Sequence, residues 1–143
     1  MHIQGIGTIS LLVAKHAKAV IAVEVNSTAH LDAVQNKRIN IFDNVIFKNE
    51  DVESFMQGCQ DRIDVLMMDP TRDGLSKAFI DAVLEMKPKK IVYISCEVKT
   101  QVRDLKHFMH HYQVTTVQPL DMFSQTAHTE NIAVLELKKA IVH

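Results

Sequence analysis

The chain has 143 residues, of which 47% are apolar, with 16 basic and 17 acidic side chains and a formal net charge of −1. This length suits one compact core, so we expect residues 1–143 to form a single domain. The balanced charge excludes the broad basic surface by which many proteins bind nucleic acid, and any contact with RNA therefore has to be local.

The sequence also limits where the protein works. No uninterrupted apolar segment approaches the roughly 18 residues that a membrane helix requires, so no membrane partner is expected. Cys59 and Cys96 lack the paired spacing of a zinc site or a disulfide framework. Reduced thiols and mixed charges are typical of the cytoplasm, and we predict a cytoplasmic protein without a bound metal.

The predicted elements alternate between helices and short strands. Helices are predicted at 8–18, 28–39, 52–57, 76–86 and 98–111, and strands at 19–25, 44–48, 63–69, 90–95, 112–120 and 131–138. Alternation favours parallel pairing, because parallel neighbours need a crossover. The last two strands break the alternation and favour an antiparallel hairpin. We therefore predict an α/β fold: a doubly wound, mostly parallel sheet with an antiparallel C-terminal hairpin and a cleft beyond the carboxyl ends of its strands.

Apolar periodicity predicts which faces of two helices are buried. In the helix at 76–86 the predicted inward residues are Ala78, Phe79, Ala82, Val83 and Met86. In the helix at 98–111 they are Val102, Leu105 and Met109.

Gly5 and Gly7 lie at a turn that opens directly into the first predicted helix. Glycine lets a ligand approach the backbone, and the start of a helix offers free N–H groups. Glu24 ends the next strand, at about the 20-residue spacing where an acid meets ribose hydroxyls in nucleotide sites. A tight turn without a ligand is the alternative.

Acidic residues follow the next two strands as well. Asp51, after Glu50, is predicted either to accept a hydrogen bond from an adenine amino group or to cap the short helix behind it. Asp69 ends a buried strand, where an unpaired acid is costly, so a position in the cleft is favoured. Arg72 directs a planar set of donors into the same region.

The strand at 90–95 is followed by Cys96, and the loop before the last strand contains His128 and Glu130. A thiol and a carboxylate together are typical of a nucleophile and a base. A cysteine that only packs in the interior is the alternative.

The segments GIGTIS, DPTRDG, IVYISC and DMFSQTAHTE, in this order, resemble the catalytic domain of the RNA uracil-5-methyltransferase family. That family makes 5-methyluridine in transfer or ribosomal RNA from S-adenosylmethionine. The resemblance covers nearly the whole chain and implies a Rossmann-like methyltransferase fold. It implies that Cys96 is the nucleophile and Glu130 the general base. The implied cofactor-binding residues are Gly5, Gly7, Glu24, Asp51 and Asp69, and the implied substrate-binding residues are Arg72 and His128.

The sequence departs from the family pattern in several places. Only residues 1–4 precede the glycines, where the family usually has a longer strand, and no upstream RNA-binding region is present, so we expect an N-terminally truncated catalytic domain. Thr71 stands where the family usually has proline, and Glu97 and Val98 replace the usual asparagine and proline. Glu97 is expected to place a second negative charge beside the thiolate and so leave less of the reactive form.

Two functions stay open at this point. The first is RNA methylation at carbon 5 of uracil, weak or absent in the isolated chain, with ribosomal RNA favoured over transfer RNA by the loop DMFSQTAHTE. The alternative is a non-catalytic module with the same fold that binds S-adenosylmethionine or another protein. In both cases an exposed sheet edge beside the short first strand favours a homo-oligomer.

Overall fold

The computed structural model describes residues 2–3, 8–120 and 130–139. The chain divides into two compact units, residues 1–60 and residues 61–143, and each is described by itself. Among the described residues, no helix combines the length and the apolar character needed to cross a membrane.

The unit at residues 1–60 alternates strictly between strands and helices. Its described elements are β1 (His2–Ile3), α1 (Thr8–Ala14), β2 (Val20–Val23), α2 (Ser27–Asn40), β3 (Val45–Lys48) and α3 (Val52–Gly58). The strands lie in the order β3-β2-β1, and both pairs are parallel. The predicted parallel pairing is confirmed here.

Helix α1 is shorter than predicted, and a side chain from elsewhere in the unit binds its last carbonyl group and one in the turn that follows. The Asn44 Nδ2 donates to the carbonyl oxygens of Ala14 and Ala17, at 2.8 and 2.9 Å. The last carbonyls of a helix have no partner within the helix, so such a cap ends it without leaving them unsatisfied. The small core beside it consists of Leu11, Ala14, Val20 and Val45.

The unit at residues 61–143 contains the predicted hairpin. Its described elements are β4 (Val65–Met68), α4 (Lys77–Met86), β5 (Lys90–Ser95), α5 (Val98–Phe108), β6 (Tyr112–Leu120) and β7 (Glu130–Leu137). The strands lie in the order β4-β5-β7-β6. β4 and β5 are parallel, whereas β7 is antiparallel to both of its neighbours. The last strand in sequence therefore lies between β5 and β6, which sequence order alone does not indicate.

The buried face of α4 agrees only in part with the predicted face. Phe79 and Val83 are buried as expected, and Ile80 is buried although it was not predicted. Ala78 is exposed, and Ala82 and Met86 are half-buried.

The predicted buried face of α5 is wrong for two of its three residues, and the third, Leu105, is half-buried. Val102 and Met109 are 47% and 54% exposed, whereas the buried residues of α5 are Gln101, Asp104 and Phe108. Two of these three are polar, so a search for apolar residues at helical spacing selects the opposite side of the helix. The side chains of Gln101 and Asp104 are buried because each makes several hydrogen bonds within the unit.

Tyr112, at the start of β6, shows how this unit buries a polar aromatic side chain. Its hydroxyl donates to the Pro88 carbonyl at 2.9 Å, and its ring meets that of Phe108 edge to face. Burial raises the pKa of Tyr112 to about 12. The hydroxyl is therefore a fixed structural donor at any physiological pH.

Candidate active site

The antiparallel pairing of β5 with β7 brings Cys96 and Glu130 to the same end of this strand pair. The last pair of this ladder is Ser95 with Asn131. Cys96 follows Ser95 and Glu130 precedes Asn131, so both residues lie directly beyond the same end of the β5–β7 ladder. Residues opposite each other in antiparallel strands have Cα atoms roughly 4.5–5.5 Å apart. Cys96 and Glu130 each adjoin one member of this last pair, so a thiol and a carboxylate that are distant in sequence lie at the same end of the two strands.

Cys96 is half-buried and forms no disulfide. The turn that presents it is fixed by Ser95, whose Oγ accepts a hydrogen bond from the Glu97 N–H at 3.1 Å and donates to the Glu97 carbonyl at 3.0 Å. A serine hydroxyl bonded in this way holds a tight turn. The thiol thus lies on a defined turn at the end of a buried strand.

The carboxylate of Glu97 caps helix α5. Its Oε1 accepts a hydrogen bond from the Lys99 N–H at 3.1 Å, and Glu97 is the N-cap residue directly before the first helical residue, Val98. The start of a helix carries partial positive charge, which favours a carboxylate there. The negative charge expected beside the thiolate is therefore directed to the helix terminus.

Asp69 shares this region with Glu130. It follows β4, whose parallel register with β5 aligns Met68 with Tyr93, and it is half-buried. Burial raises the pKa of the Asp69 carboxyl above its ordinary value, and the negative charge of Glu130 raises it further. The structure therefore brings Asp69, Cys96 and Glu130 to one edge of this unit.

Arg72 lies on a turn after β4 that is fastened to α5. The turn is closed by the Gly74 N–H, which donates to the Thr71 carbonyl at 2.9 Å. The Thr100 hydroxyl donates to the Arg72 carbonyl at 2.9 Å. The Arg72 side chain itself is exposed, so its guanidinium is accessible to a ligand from solvent.

Asp104 joins three elements around the site, and sequence reasoning missed it. Its Oδ2 accepts hydrogen bonds from the Leu75 N–H at 2.9 Å and the Tyr93 hydroxyl at 2.8 Å, and its Oδ1 pairs with Arg103. Burial, followed by the hydrogen bond and the charge of Asp104, raises the pKa of Tyr93 far above its ordinary value. The carboxylate is only 1% exposed. An aspartate in an amphipathic helix is normally expected on the solvent side, which is why the sequence does not indicate its buried position.

The turn after β4 leaves no space for a side chain at Gly74. Its φ is +80°, and a Cβ placed there would lie 2.5 Å from Asp104 Oδ2 and 2.7 Å from an Arg103 guanidinium nitrogen. Such distances are far inside van der Waals contact. Glycine is therefore needed both for the backbone conformation and for close packing against α5.

In the unit at residues 1–60, Glu24 lies where the sequence predicts an acid for a ribose. It follows β2, is only 7% exposed, and accepts a hydrogen bond from the Asn26 N–H at 2.7 Å. Asn49, which sequence reasoning missed, donates to the Glu24 carbonyl at 2.7 Å and accepts from the Ser27 hydroxyl at 3.0 Å. Asn49 thus holds the chain after β2 beside the chain after β3.

Asp51 caps helix α3, which is one of the two roles predicted for it. Its Oδ2 accepts from the Ser54 N–H at 2.9 Å and from the Ser54 hydroxyl at 3.1 Å. A role in binding a cofactor stays a prediction. Gly5, Gly7 and His128 lie outside the described residues, and their predicted roles stay predictions as well.

The family model for tRNA (uracil-5-)-methyltransferases matches residues 3–139. The chain belongs to this family. It is 46% identical over 140 residues to an uncharacterized RNA methyltransferase of Halalkalibacterium halodurans, a match that covers 94% of this chain and 30% of the relative. A second uncharacterized RNA methyltransferase, from Lactobacillus johnsonii, is 48% identical over 92% of this chain and 30% of its own length. The chain thus spans about a third of the curated family members that it matches.

Solved structures confirm the fold class. The Pyrococcus abyssi tRNA (uracil-54, C5)-methyltransferase, whose crystal structure is a complex with S-adenosyl-L-homocysteine, is 30% identical in sequence to this chain. It matches with a TM-score of 0.83 over 94% of this chain and 33% of that chain. An rRNA methylase of Streptococcus thermophilus, 12% identical, shows the same fold with a TM-score of 0.73 over 96% of this chain and 86% of its own. The Rossmann-like methyltransferase fold is therefore shown.

Replacing Gly74 by alanine should destabilise the protein strongly. We expect Gly74→Ala to lower the free energy of unfolding by at least about 2 kcal/mol, because the new Cβ meets Asp104 and the positive φ is strained for alanine. Gly58→Ala is the matched control, since nothing lies within 4 Å of its Cβ position, and it should be neutral or slightly stabilising. Chemical denaturation of both variants measures the effect, and equal stabilities would contradict the packing described for this turn.

Neutralising Asp69 should stabilise the fold at neutral pH. The pKa of Asp69 is higher in the folded than in the unfolded protein. Its contribution to the free energy of unfolding is therefore most favourable below the pKa of the unfolded state, and it is lost as the pH rises through the pKa of the folded state. Asp69→Asn should therefore raise the free energy of unfolding at pH 7 and leave it nearly unchanged in acid, below the ordinary aspartate pKa. Denaturation at both pH values tests this, with the exposed Asp32→Asn as the control. An equal change at the two pH values would argue against the burial and repulsion described for Asp69.

Proposed function

We propose that this chain is a catalytic domain that transfers a methyl group from S-adenosylmethionine to carbon 5 of uracil in RNA. The observation that carries the proposal is the meeting of Cys96 and Glu130 at one end of the β5–β7 pair. Membership of the uracil-5-methyltransferase family supports the choice of this reaction over other chemistry open to a thiol and a carboxylate.

The described residues fit the proposed cofactor. Glu24 supplies a buried carboxylate at the carboxyl end of β2, which is the acceptor that ribose hydroxyls need, and Asn49 fixes the chain around it. We assign Gly5, Gly7 and Asp51 to the same task by resemblance to the family. Asp69, which the resemblance also gives to the cofactor, interacts electrostatically with Glu130 and is therefore assigned to the uracil instead. When bound, S-adenosylmethionine supplies the electrophilic methyl group that carbon 5 of the uracil takes up.

Cys96 acts as the nucleophile, because carbon 5 of uracil is too weakly nucleophilic to be methylated unaided. The Cys96 sulfur forms a bond to carbon 6, and the electron pair of the double bond between carbons 5 and 6 moves toward carbon 5. This addition makes carbon 5 reactive toward an electrophile. Covalent catalysis of this kind splits one difficult step into two easier ones.

Glu130 acts as the general base in the second half of the reaction. After methylation, carbon 5 carries both the methyl group and its original proton. The Glu130 carboxylate removes that proton, the electron pair re-forms the double bond, and the Cys96 thiolate leaves carbon 6. A base has to lie within hydrogen-bond reach of the proton that it removes, which the adjacency of Glu130 and Cys96 permits.

Asp69 and Arg72 hold the edge of the uracil in this proposal. A carboxylate accepts a hydrogen bond from the ring N–H, and a guanidinium donates to a ring carbonyl. His128 is assigned to the substrate by resemblance. Because the target atoms are hidden in stacked RNA, the nucleotide has to be turned out of the stack to reach these side chains.

Ribosomal RNA is the proposed target, on the basis of the loop sequence DMFSQTAHTE before and at the start of β7. The Pyrococcus abyssi relative is a tRNA enzyme, so transfer RNA is the comparison substrate in every assay. The alternative function, a non-catalytic module that binds S-adenosylmethionine or a protein, is favoured by the replacement of the family's usual asparagine by Glu97. A trapping experiment separates the two.

RNA containing 5-fluorouridine should trap the protein covalently. The fluorine on carbon 5 cannot be removed as a proton, so the methylated adduct stays attached to Cys96. With S-adenosylmethionine, the unsubstituted protein and Cys59→Ala should form an adduct that survives denaturation, and Cys96→Ala should form none. Gel shift and mass spectrometry measure the product.

Glu130→Gln completes this test with ordinary uridine RNA. Without the base, the methylated adduct should accumulate where the unsubstituted protein turns over. If calorimetry shows that the protein binds S-adenosylhomocysteine and yet no adduct forms with 5-fluorouridine RNA, the catalytic proposal is wrong and the binding module is the better account.

A further inference from the structure

Gln101 is a polar side chain with no exposed surface, located on α5 beside the site. Its Nε2 donates to the Tyr93 carbonyl at 3.0 Å and to the Asn131 carbonyl at 3.2 Å, and its Oε1 accepts from the Asn131 Nδ2. A buried amide is costly unless its hydrogen bonds are made, and here both ends of the amide are bound. The three bonds fix Gln101 to two different strands.

These two strands hold the nucleophile and the base of the proposed reaction. Tyr93 lies on β5 three residues before Cys96, and Asn131 lies on β7 directly after Glu130. The β5–β7 ladder ends with the pair of Ser95 and Asn131, so the pairing of these two strands stops one residue short of both Cys96 and Glu130, although Glu130 still pairs with Leu120 of β6. Gln101 adds a bond to each strand at that end.

We propose that Gln101, through its reciprocal amide pair with Asn131, is a positioning residue that aligns Glu130 with the substrate attached to Cys96. The proposal rests on the proposed function. The base has to reach a proton on carbon 5 while the sulfur is bonded to the neighbouring carbon 6. A misplacement of roughly 1 Å in such an arrangement costs about 100-fold in rate.

This role predicts an effect on one half of the reaction only. Addition of Cys96 and methylation do not use Glu130, whereas removal of the proton from carbon 5 does. Loss of the amide pair should therefore slow release of the product and leave formation of the adduct nearly unchanged. A residue that merely supports the fold would affect both steps together.

The experiment compares Gln101→Met, which keeps the length of an unbranched side chain, with Gln113→Met on the exposed surface of β6. Each variant is incubated with S-adenosylmethionine and either 5-fluorouridine RNA or ordinary uridine RNA. For Gln101→Met we expect adduct formation with 5-fluorouridine RNA within a few-fold of the unsubstituted protein, turnover slowed about 10- to 100-fold, and an adduct that accumulates on ordinary RNA. Gln113→Met should behave as the unsubstituted protein does.

Asn131→Leu removes only the bond that the Asn131 Nδ2 donates to Gln101 Oε1 and keeps the main-chain carbonyl that Gln101 binds. It should give the same pattern in weaker form, which keeps the test decisive if Gln101→Met folds poorly. Equal loss of adduct formation and turnover in the folded variants would overturn the proposal, as would normal turnover. Failure of the unsubstituted protein to form any adduct with 5-fluorouridine RNA would instead sink the proposed function itself. The two failures are therefore distinguishable.

Discussion

The antiparallel pairing of β5 with β7 is the constraint on which the candidate site depends. Because β7 returns between β5 and β6, a residue from the end of the chain comes to lie beside Cys96. The pairing leaves little freedom, since a slip of one residue would reverse the face of every β7 side chain. The alternation of buried and half-buried residues from Glu130 to Leu135 favours this register, and the register places Glu130 at the end of the ladder that Cys96 follows.

Helix α5 supports the same arrangement with polar side chains. Asp104 binds the turn after β4 and the Tyr93 hydroxyl, and Gln101 binds β5 and β7. Apolar residues at these two positions would fill the space, but they would make no hydrogen bonds that fix the distances between α5 and the segments that Asp104 and Gln101 bind. The buried polar residues therefore connect the fold to the site: the segments carrying Asp69, Cys96 and Glu130 are all attached to one helix.

Much of this could be predicted from the sequence. Nearly every helix and strand is predicted, because strong β-branched runs and helical stripes alternate, and the candidate site residues are predicted because polar side chains follow buried strands. The buried face of α5 was missed for a physical reason: Gln101 and Asp104 are buried by their hydrogen bonds, which no periodicity of apolar residues can report. The insertion of β7 was also hidden, since strand order depends on contacts between residues distant in sequence. Asp51 caps a helix, a role that the sequence predicted only as one of two.

An engineered disulfide tests the central geometry most directly. Glu130→Cys, in a chain with Cys59→Ser, should form a disulfide with Cys96 under mild oxidation, because both residues lie one position beyond the Ser95–Asn131 pair and the bond requires a Cα separation of about 4.4–6.8 Å. Glu136→Cys, which lies opposite Lys90 at the far end of the same ladder, should form none. Peptide mapping by mass spectrometry identifies the bond. If the thiol introduced by Glu130→Cys stays reduced, or if the two variants oxidise equally, the proximity of Cys96 and Glu130 is contradicted.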